Sequence, residues 1–465
     1  MKFSVEKLGI IQSASLDLRK PLVVFCGPNS TGKTYLSYVV NFVMSDDPTI
    51  EVPSFKQLAH HVKTGDGFVL DKTIMDDYLA RLSEHVINNL DVVFGISKEE
   101  CNRLFAKSKI TLSLDDNDYA KIKKTPLTMQ LQFMAADSTK YMYQLSKAEN
   151  SLEVRINFFS NGVAVKGDLT EDVSNLLMQR FFHFAVFAPF THSHMFTVER
   201  NSIYTFKTEL AQNRTELVNK ILDSSSDTNP KQIVEQQAKR YPWAVRTSLN
   251  EANGISALKK NESPFAAVAQ RLEDDLLHGE VDADKDGEVS FKVKGNGHLP
   301  FQITSSIVKT LSSLVFYLKY QASKGDVIII DEPEMNFHPD NQILLARLFA
   351  ILANSGLGVV VSTHSDYIIR EVNNMVMAEA LQRRLADINI KEEYGYANDE
   401  LLKSDDVAAY YFNPTTDGKV NVEELEVNNY GFDVKSINAA IEAQNSVTND
   451  LYDRLTYETT ENGDK

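Results

Sequence analysis

The apolar positions of this 465-residue chain change period several times. Phe3, Val5, Leu8, Ile10 and Ile11, followed by the alternating Ala14, Leu16 and Leu18, predict two strands with Leu8-Gly9 as their turn. Leu22-Val23-Val24-Phe25-Cys26 is a short continuous apolar run, the pattern of a strand covered on both faces. From Thr34 to Met44 the apolar residues recur at helical spacing. Residues 53–106 also read as helical, with Leu79, Leu82, Val86 and Leu90 on one face. Between 108 and 166 the period becomes two: Lys109–Leu114, Met129–Phe133 and Leu152–Phe158 alternate like half-buried antiparallel strands. Residues 168–280 return to helical patterning, interrupted by the polar stretch Asp223–Pro230. After an Asp286-Gly287 turn, Val289–Val293 reads as another strand.

From Thr304 to Thr363 a helix, a strand, a helix and a strand follow one another, the rhythm of a parallel sheet. The expected class is therefore α/β, with a mixed sheet, an antiparallel β subdomain and a helical insertion. Residues 1–50 and 300–465 are expected to form one discontinuous core, and the helical and antiparallel β subdomains of 51–299 to be inserted into it.

Composition narrows the class without naming an activity. With 43% hydrophobic and 24% charged residues the chain is ordinary for a globular protein. No stretch approaches the roughly 18 consecutive apolar residues of a membrane helix, and the N-terminus lacks the apolar run of a secretion signal. With that start, Cys26 and Cys101 are expected to be reduced thiols of a cytoplasmic chain. A net charge of −16 argues against a wholly basic nucleic-acid binder but leaves room for a local basic groove. The acidic tail 457–465 is expected to be solvated and frayed.

Three segments carry chemistry. In Gly27-Pro28-Asn29-Ser30-Thr31-Gly32-Lys33-Thr34, glycines permit a tight turn that aims backbone N–H groups at phosphates, and the next helix adds its positive end. Lys33 is placed to reach the β- and γ-phosphates of ATP, and the Thr34 hydroxyl to bind Mg2+. Asp326–Glu334 is an apolar strand ending in adjacent carboxylates; Asp331 is suited to hold the magnesium and Glu332 to polarise the attacking water. Gly358–Asp366 is a third buried strand, whose His364 is placed to contact the γ-phosphate or the water. Two weaker signals stand beside these. Asp282–Gly287 imitates a calcium loop, but Val293 stands where the bidentate glutamate is needed, so a hairpin turn is expected. His192 and His194 lack a third ligand and are expected in a polar loop.

In this order the three segments resemble ABC-type ATPase heads. The closer resemblance is to the branch of RecF-like, OLD-type and Septu-type ATPases. It rests on Gly27–Thr34, on Asp331-Glu332-Pro333-Glu334-Met335-Asn336-Phe337-His338-Pro339 with Gln342, and on Ser362-Thr363-His364-Ser365. Transporter heads carry Leu-Asp where Phe337-His338 stand here, which points to the non-transporter branch. Such heads complete their site in trans, so the resemblance implies a homodimer or higher homo-oligomer with ATP sandwiched between copies. The usual Leu-Ser-Gly-Gly-Gln motif is absent; Ser305 and Ser306 stand at its place, and either meet the partner's phosphate or form a plain helix cap. Phe196-Thr197-Val198-Glu199-Arg200 faintly resembles the Pro-Ala-Glu-Arg segment of these proteins, or is a solvated pair. The branch further implies anti-phage defence, with the ATPase acting as sensor or scaffold for a separate effector, a nuclease or toxin. The alternative reading is a RecF-like repair ATPase that binds DNA directly.

Overall fold

In the computed structural model the described residues are 1–45, 50–134, 140–165, 170–190, 192–206, 241–258, 261–295, 297–385 and 387–461. The polar stretch 223–230 lies outside them. The apolar run Leu22–Cys26 is a fully buried strand. Its side chains alternate between two cores: Val23 and Phe25 enter one, Leu22, Val24 and Cys26 the other. The strands Asp326–Asp331 and Gly358–Thr363 behave alike, with Ile329 and Val360 on the first face and Ile328, Ile330, Val359 and Val361 on the second. Burial on both faces is why these strands read as continuous apolar runs.

They are the centre of a nine-stranded mixed sheet. Its order is His192–Phe196, Asp326–Asp331, Gly358–Thr363, Leu22–Cys26, Val407–Pro414, Val420–Leu425, Ile11–Leu16, Lys2–Leu8 and Lys109–Ser113. The first five are mutually parallel; antiparallel pairs dominate the other end. Helix Lys33–Val43 packs Leu36, Val39, Val40 and Val43 into the first core. Helices Ser306–Tyr320, Pro339–Asn354 and Asp366–Arg384 close the second.

Two edge strands come from the span read as inserted. Lys109–Ser113 pairs with Lys2–Leu8. His192–Phe196, expected as a polar loop, is instead an edge strand in parallel register with Asp326–Ile330, anchored by buried Met195 and Phe196. Its backbone pairing, not any side-chain period, makes it a strand. The antiparallel sheet is present as Leu127–Met134, Lys140–Lys147 and Glu153–Ser160, with short strands Phe68–Val69 and Val163–Val165 added to it. Helix Asp116–Lys124 interrupts the expected strands, started by a reciprocal cap between Asp115 and Asp118. The Asp282–Gly287 segment does join a hairpin, Gly279–Ala283 with Val289–Val293. Helix Lys435–Glu461 carries regular structure into the tail that was expected to fray. Among the described residues no helix is long and apolar enough to cross a membrane.

Candidate active site

The central strand Leu22–Cys26 delivers the glycine loop to the C-terminal edge of the parallel strands. Gly27 has φ 140°, and a Cβ there would lie 2.9 Å from the Phe412 carbonyl oxygen, so only glycine fits. Ser30 at φ 61° and Gly32 at φ 90° complete the turn. Helix Lys33–Val43 starts immediately after, with no acidic residue in its first turn to offset its positive end. Lys33 is 4% exposed. Its Nζ donates to the carbonyls of Gly27 at 3.0 Å and Pro28 at 2.9 Å, and lies 3.8 Å from Glu332 Oε1.

The neighbouring strands supply the acidic wall. Asp331 is paired in register with Ser362 and is 0% exposed. Its Oδ2 accepts from Thr34 Oγ1 at 2.8 Å, and its Oδ1 from the Ser362 hydroxyl. Burial pushes the Asp331 pKa up, opposed by those two hydroxyls and by the charges of Arg200 and Lys33. A hydroxyl beside a buried carboxylate is an oxygen donor set that suits a hard cation, so Thr34 and Asp331 fit magnesium.

One residue on, Glu332 adopts φ 46°, a left-handed backbone uncommon outside glycine. Its N–H donates to Ser362 O at 2.9 Å, which extends the strand pairing and turns the side chain into the cleft. Glu332 Oε2 lies 2.5 Å from His364 Nδ1. Burial, then the neighbouring Glu334, raises the Glu332 pKa, while His364 and Lys33 hold it down. Glu334 is also buried and accepts from Thr363 Oγ1 at 2.6 Å and from the His364 N–H at 2.8 Å. Gln342 ties the next layer together, donating to Phe337 O at 2.9 Å and accepting from Ser365 Oγ at 2.5 Å.

Between these walls is a cleft of about 1030 Å³. Asn29, Ser30, Thr31, Gly32, Lys33 and Thr34 line one side, and Glu332, Glu334 and His364 the other. The structure therefore gathers the loop, Asp331, Glu332 and His364, while Gly27, Pro28 and Asp331 support the cleft from behind. Ser305 and Ser306 do not line it. They are exposed at the start of helix Ser306–Tyr320, where Ser305 holds the cap position but makes no side-chain cap bond.

Two residues without an assigned role belong to this architecture. Arg200 is 3% exposed rather than solvated. It donates to Thr197 O at 2.9 Å, Asp331 O at 2.6 Å and Glu332 O at 2.7 Å, and burial lowers its pKa to about 10. Its available signal was the Glu199-Arg200 pair itself, since the strand before it opens on the polar His192-Ser193-His194. Glu334 stood in the quoted motif, two residues after Glu332, and its spacing in one tight turn was the available clue.

A strand leading into a phosphate-type glycine loop, with a buried Asp on an adjacent strand touching the loop's Thr, defines a P-loop nucleoside triphosphatase. The sequence matches the AAA ATPase domain family over residues 1–369, and the chain belongs to that family. It is a nucleotide-binding ATPase that hydrolyses ATP. Similar solved structures include an Smc head bound to the C-winged helix domain of ScpA, at 13% identity and TM-score 0.34, covering 92% of this chain and 98% of that one. Another is the SMC head domain from Thermotoga maritima, at 9% identity and TM-score 0.31, with coverages of 92% and 98%. A third is an Smc head domain with an extended coiled coil bound to the C-terminal domain of ScpA, derived from Pyrococcus furiosus, at 12% identity and TM-score 0.33, with coverages of 96% and 98%. No curated protein matches this sequence.

Proposed function

We propose that this chain supplies one half of an ATP-sandwich site of ABC type and dimerises head to head through bound ATP. The observation that carries the reading is the division of labour between the cleft and the Ser305-Ser306 helix start. One chain presents the loop, Lys33, Glu332 and His364 around the cleft, but keeps Ser305 and Ser306 away from it and exposed. Because the Ser305 hydroxyl is not used as a cap, it is free to donate to a phosphate of a second copy together with the helix N–H groups.

In this reading the loop N–H groups and Lys33 hold the phosphates of ATP. Lys33 moves from the Gly27 and Pro28 carbonyls to the β- and γ-phosphate oxygens. Thr34 and Asp331 would hold magnesium, which supplies charge neutralisation on the phosphates. Glu332 accepts a proton from water as its oxygen bonds to the γ-phosphorus and the bond to ADP breaks; phosphate and ADP leave. A raised Glu332 pKa makes it a better proton acceptor, and His364, hydrogen-bonded to it, aims the carboxylate. Losing the γ-phosphate removes the contact that joins the copies, so hydrolysis opens the dimer.

The motif set resembles ATPases of prokaryotic anti-phage defence, and on that ground the chain is read as the sensor or scaffold ATPase of such a system, controlling a separate effector. The direct test is Glu332→Gln. It should keep ATP binding, slow turnover roughly 10²–10⁴-fold and accumulate an ATP-dependent dimer in gel filtration. Unimpaired hydrolysis would remove Glu332 from its role, and a monomer at saturating ATP would remove the sandwich.

A further inference from the structure

Hydrolysis gives work to Glu332 and His364 but none to the third acid beside them. Glu332, Glu334 and His364 each present a ligand-type atom, and these atoms lie within 4.8 Å of one another. His364 Nδ1 is 2.5 Å from Glu332 Oε2 and 3.2 Å from Glu334 Oε1. Glu334 is only 6% exposed. Its Oε1 is fully used by the Thr363 hydroxyl and the His364 N–H. Its Oε2 is buried with no hydrogen-bond partner among the described residues. A buried carboxylate oxygen without a donor is unfavourable and calls for a ligand.

Charge points the same way. The carboxylates Asp331, Glu332 and Glu334 crowd together against the fixed cations Lys33 and Arg200. Arg200 spends both terminal nitrogens on backbone carbonyls rather than on those acids. The group therefore keeps a surplus of negative charge, which an added cation offsets.

We propose that Glu332, Glu334 and His364 bind one divalent transition cation, Zn2+ in the first instance, separately from the Thr34–Asp331 pair. One imidazole nitrogen with two carboxylate oxygens and an open fourth position is a borderline donor set, suited to Zn2+ and disfavoured by Mg2+. With bonds of about 2.0–2.2 Å, tetrahedral ligand atoms stand about 3.3–3.5 Å apart. His364 Nδ1 lies 3.2 Å from Glu334 Oε1, and because that oxygen is held by two donors, the carboxylate would offer the unpartnered Oε2 to the cation by a small rotation. The His364–Glu332 contact needs to open by about 1 Å, within reach of a side-chain rotation. Metal binding at Nδ1 leaves His364 neutral with its proton on Nε2: a neutral ring exchanges its Nδ1 proton for one on Nε2 through solvent, and a charged ring releases its Nδ1 proton to solvent. A consequence rests on the proposed function: a Glu332 carboxylate bound to zinc accepts no proton from water, so zinc acts as a brake on hydrolysis.

Zinc uptake by the full nucleotide-free chain, measured by competition with a chromophoric chelator, tests the site apart from turnover. One Zn2+ per chain is expected, with affinity falling at least about tenfold in Glu334→Gln and in His364→Ala, and unchanged in Thr34→Ala. Circular dichroism and the thermal melt of each variant report that it is folded. No uptake, or equal uptake by the Glu334→Gln and His364→Ala chains, overturns the site. Full hydrolysis of excess Mg-ATP by the zinc-loaded wild type overturns the brake. The Glu332→Gln turnover measured without zinc decides the hydrolysis reading on its own.

Discussion

Replacing Arg200 with Gln tests whether the Asp331-Glu332 turn is held from beneath. The guanidinium makes three hydrogen bonds to carbonyls of Thr197, Asp331 and Glu332. Charge-assisted bonds contribute about 1.5–3 kcal/mol each, a gross gain of about 6 kcal/mol. Against this stands the desolvation of a buried cation, net of the attraction of Asp331, Glu334, Glu332 and Glu199; the fall of its pKa to about 10 puts that net cost at about 3 kcal/mol at ~1.4 kcal/mol per unit. The net loss on removing Arg200 is about 3 kcal/mol, at the lower end of what breaking a buried charged network costs. A chain of 465 residues unfolding as a unit has an entropy of about 1 kcal/mol/K. Arg200→Gln should therefore lower Tm by about 3 °C in a thermal melt. Arg200→Lys, with one nitrogen and no fork, should recover less than half of that. Steady-state kinetics should show kcat falling with little change in KM, because the turn orients Glu332 and not the glycine loop. A variant with wild-type Tm and kcat would refute the claim that these bonds position Glu332.

Three further outcomes are expected. Gly27→Ala forces a Cβ to 2.9 Å from the Phe412 carbonyl at a φ of 140°, and ATP affinity by calorimetry should fall at least about tenfold. Ser305→Ala combined with Ser306→Ala should leave single-chain ATP binding intact and abolish ATP-dependent dimerisation, read by light scattering; a persisting dimer would return these serines to a plain helix start. Glu251 lies 3.3 Å from His194, and burial pushes its pKa from 4.5 up to about 7. A folded pKa above the unfolded value means the fold favours the protonated acid. That stability is complete below about pH 4.5 and is lost as pH rises through about 7. Burial lowers the pKa of the adjoining His194 from 6.5 to about 4, which makes stability rise with pH up to about 6.5 and offsets Glu251 there. Urea midpoints should therefore decline between about pH 6.5 and 8 in the wild type and hold level over that window in Glu251→Gln.

What the sequence revealed and what it hid follow from the range of the interactions. The glycine loop, Asp331-Glu332 and the His364 strand are each contiguous, and each demands particular residue types at fixed spacing, so one sequence suffices to find them. The continuous apolar runs reported doubly covered strands because both faces of the sheet are packed by helices. Arg200 was different: two of its three partners are main-chain carbonyls more than a hundred positions away, and a carbonyl carries no residue identity to recognise. The edge strand His192–Phe196 hid for a related reason. It is defined by backbone pairing to Asp326–Ile330, and its polar His192, Ser193 and His194 gave no alternating apolar signal. Helix Asp116–Lys124 interrupts a region read only by strand period, although its cap residues were visible.

The edge strand also explains why Glu332 keeps its unusual backbone. Register places Phe196 opposite Ile330, so the chain leaving the strand passes directly beside Asp331 and Glu332, and Arg200 folds back under them. Glu332 is then gripped on both sides: its N–H by Ser362 O, its carbonyl by Arg200. A left-handed non-glycine residue costs about 1–2 kcal/mol, and two opposed hydrogen bonds are enough to hold it. The same grip sets the direction of the side chain, toward His364 and the cleft. Glycine at this position would relax the backbone but delete the carboxylate, so strain and chemistry are tied to one residue. Because the edge strand lies beside the acidic strand in the sheet, a segment far from the glycine loop in sequence shapes the turn that carries Glu332, on which the proposed hydrolysis step relies.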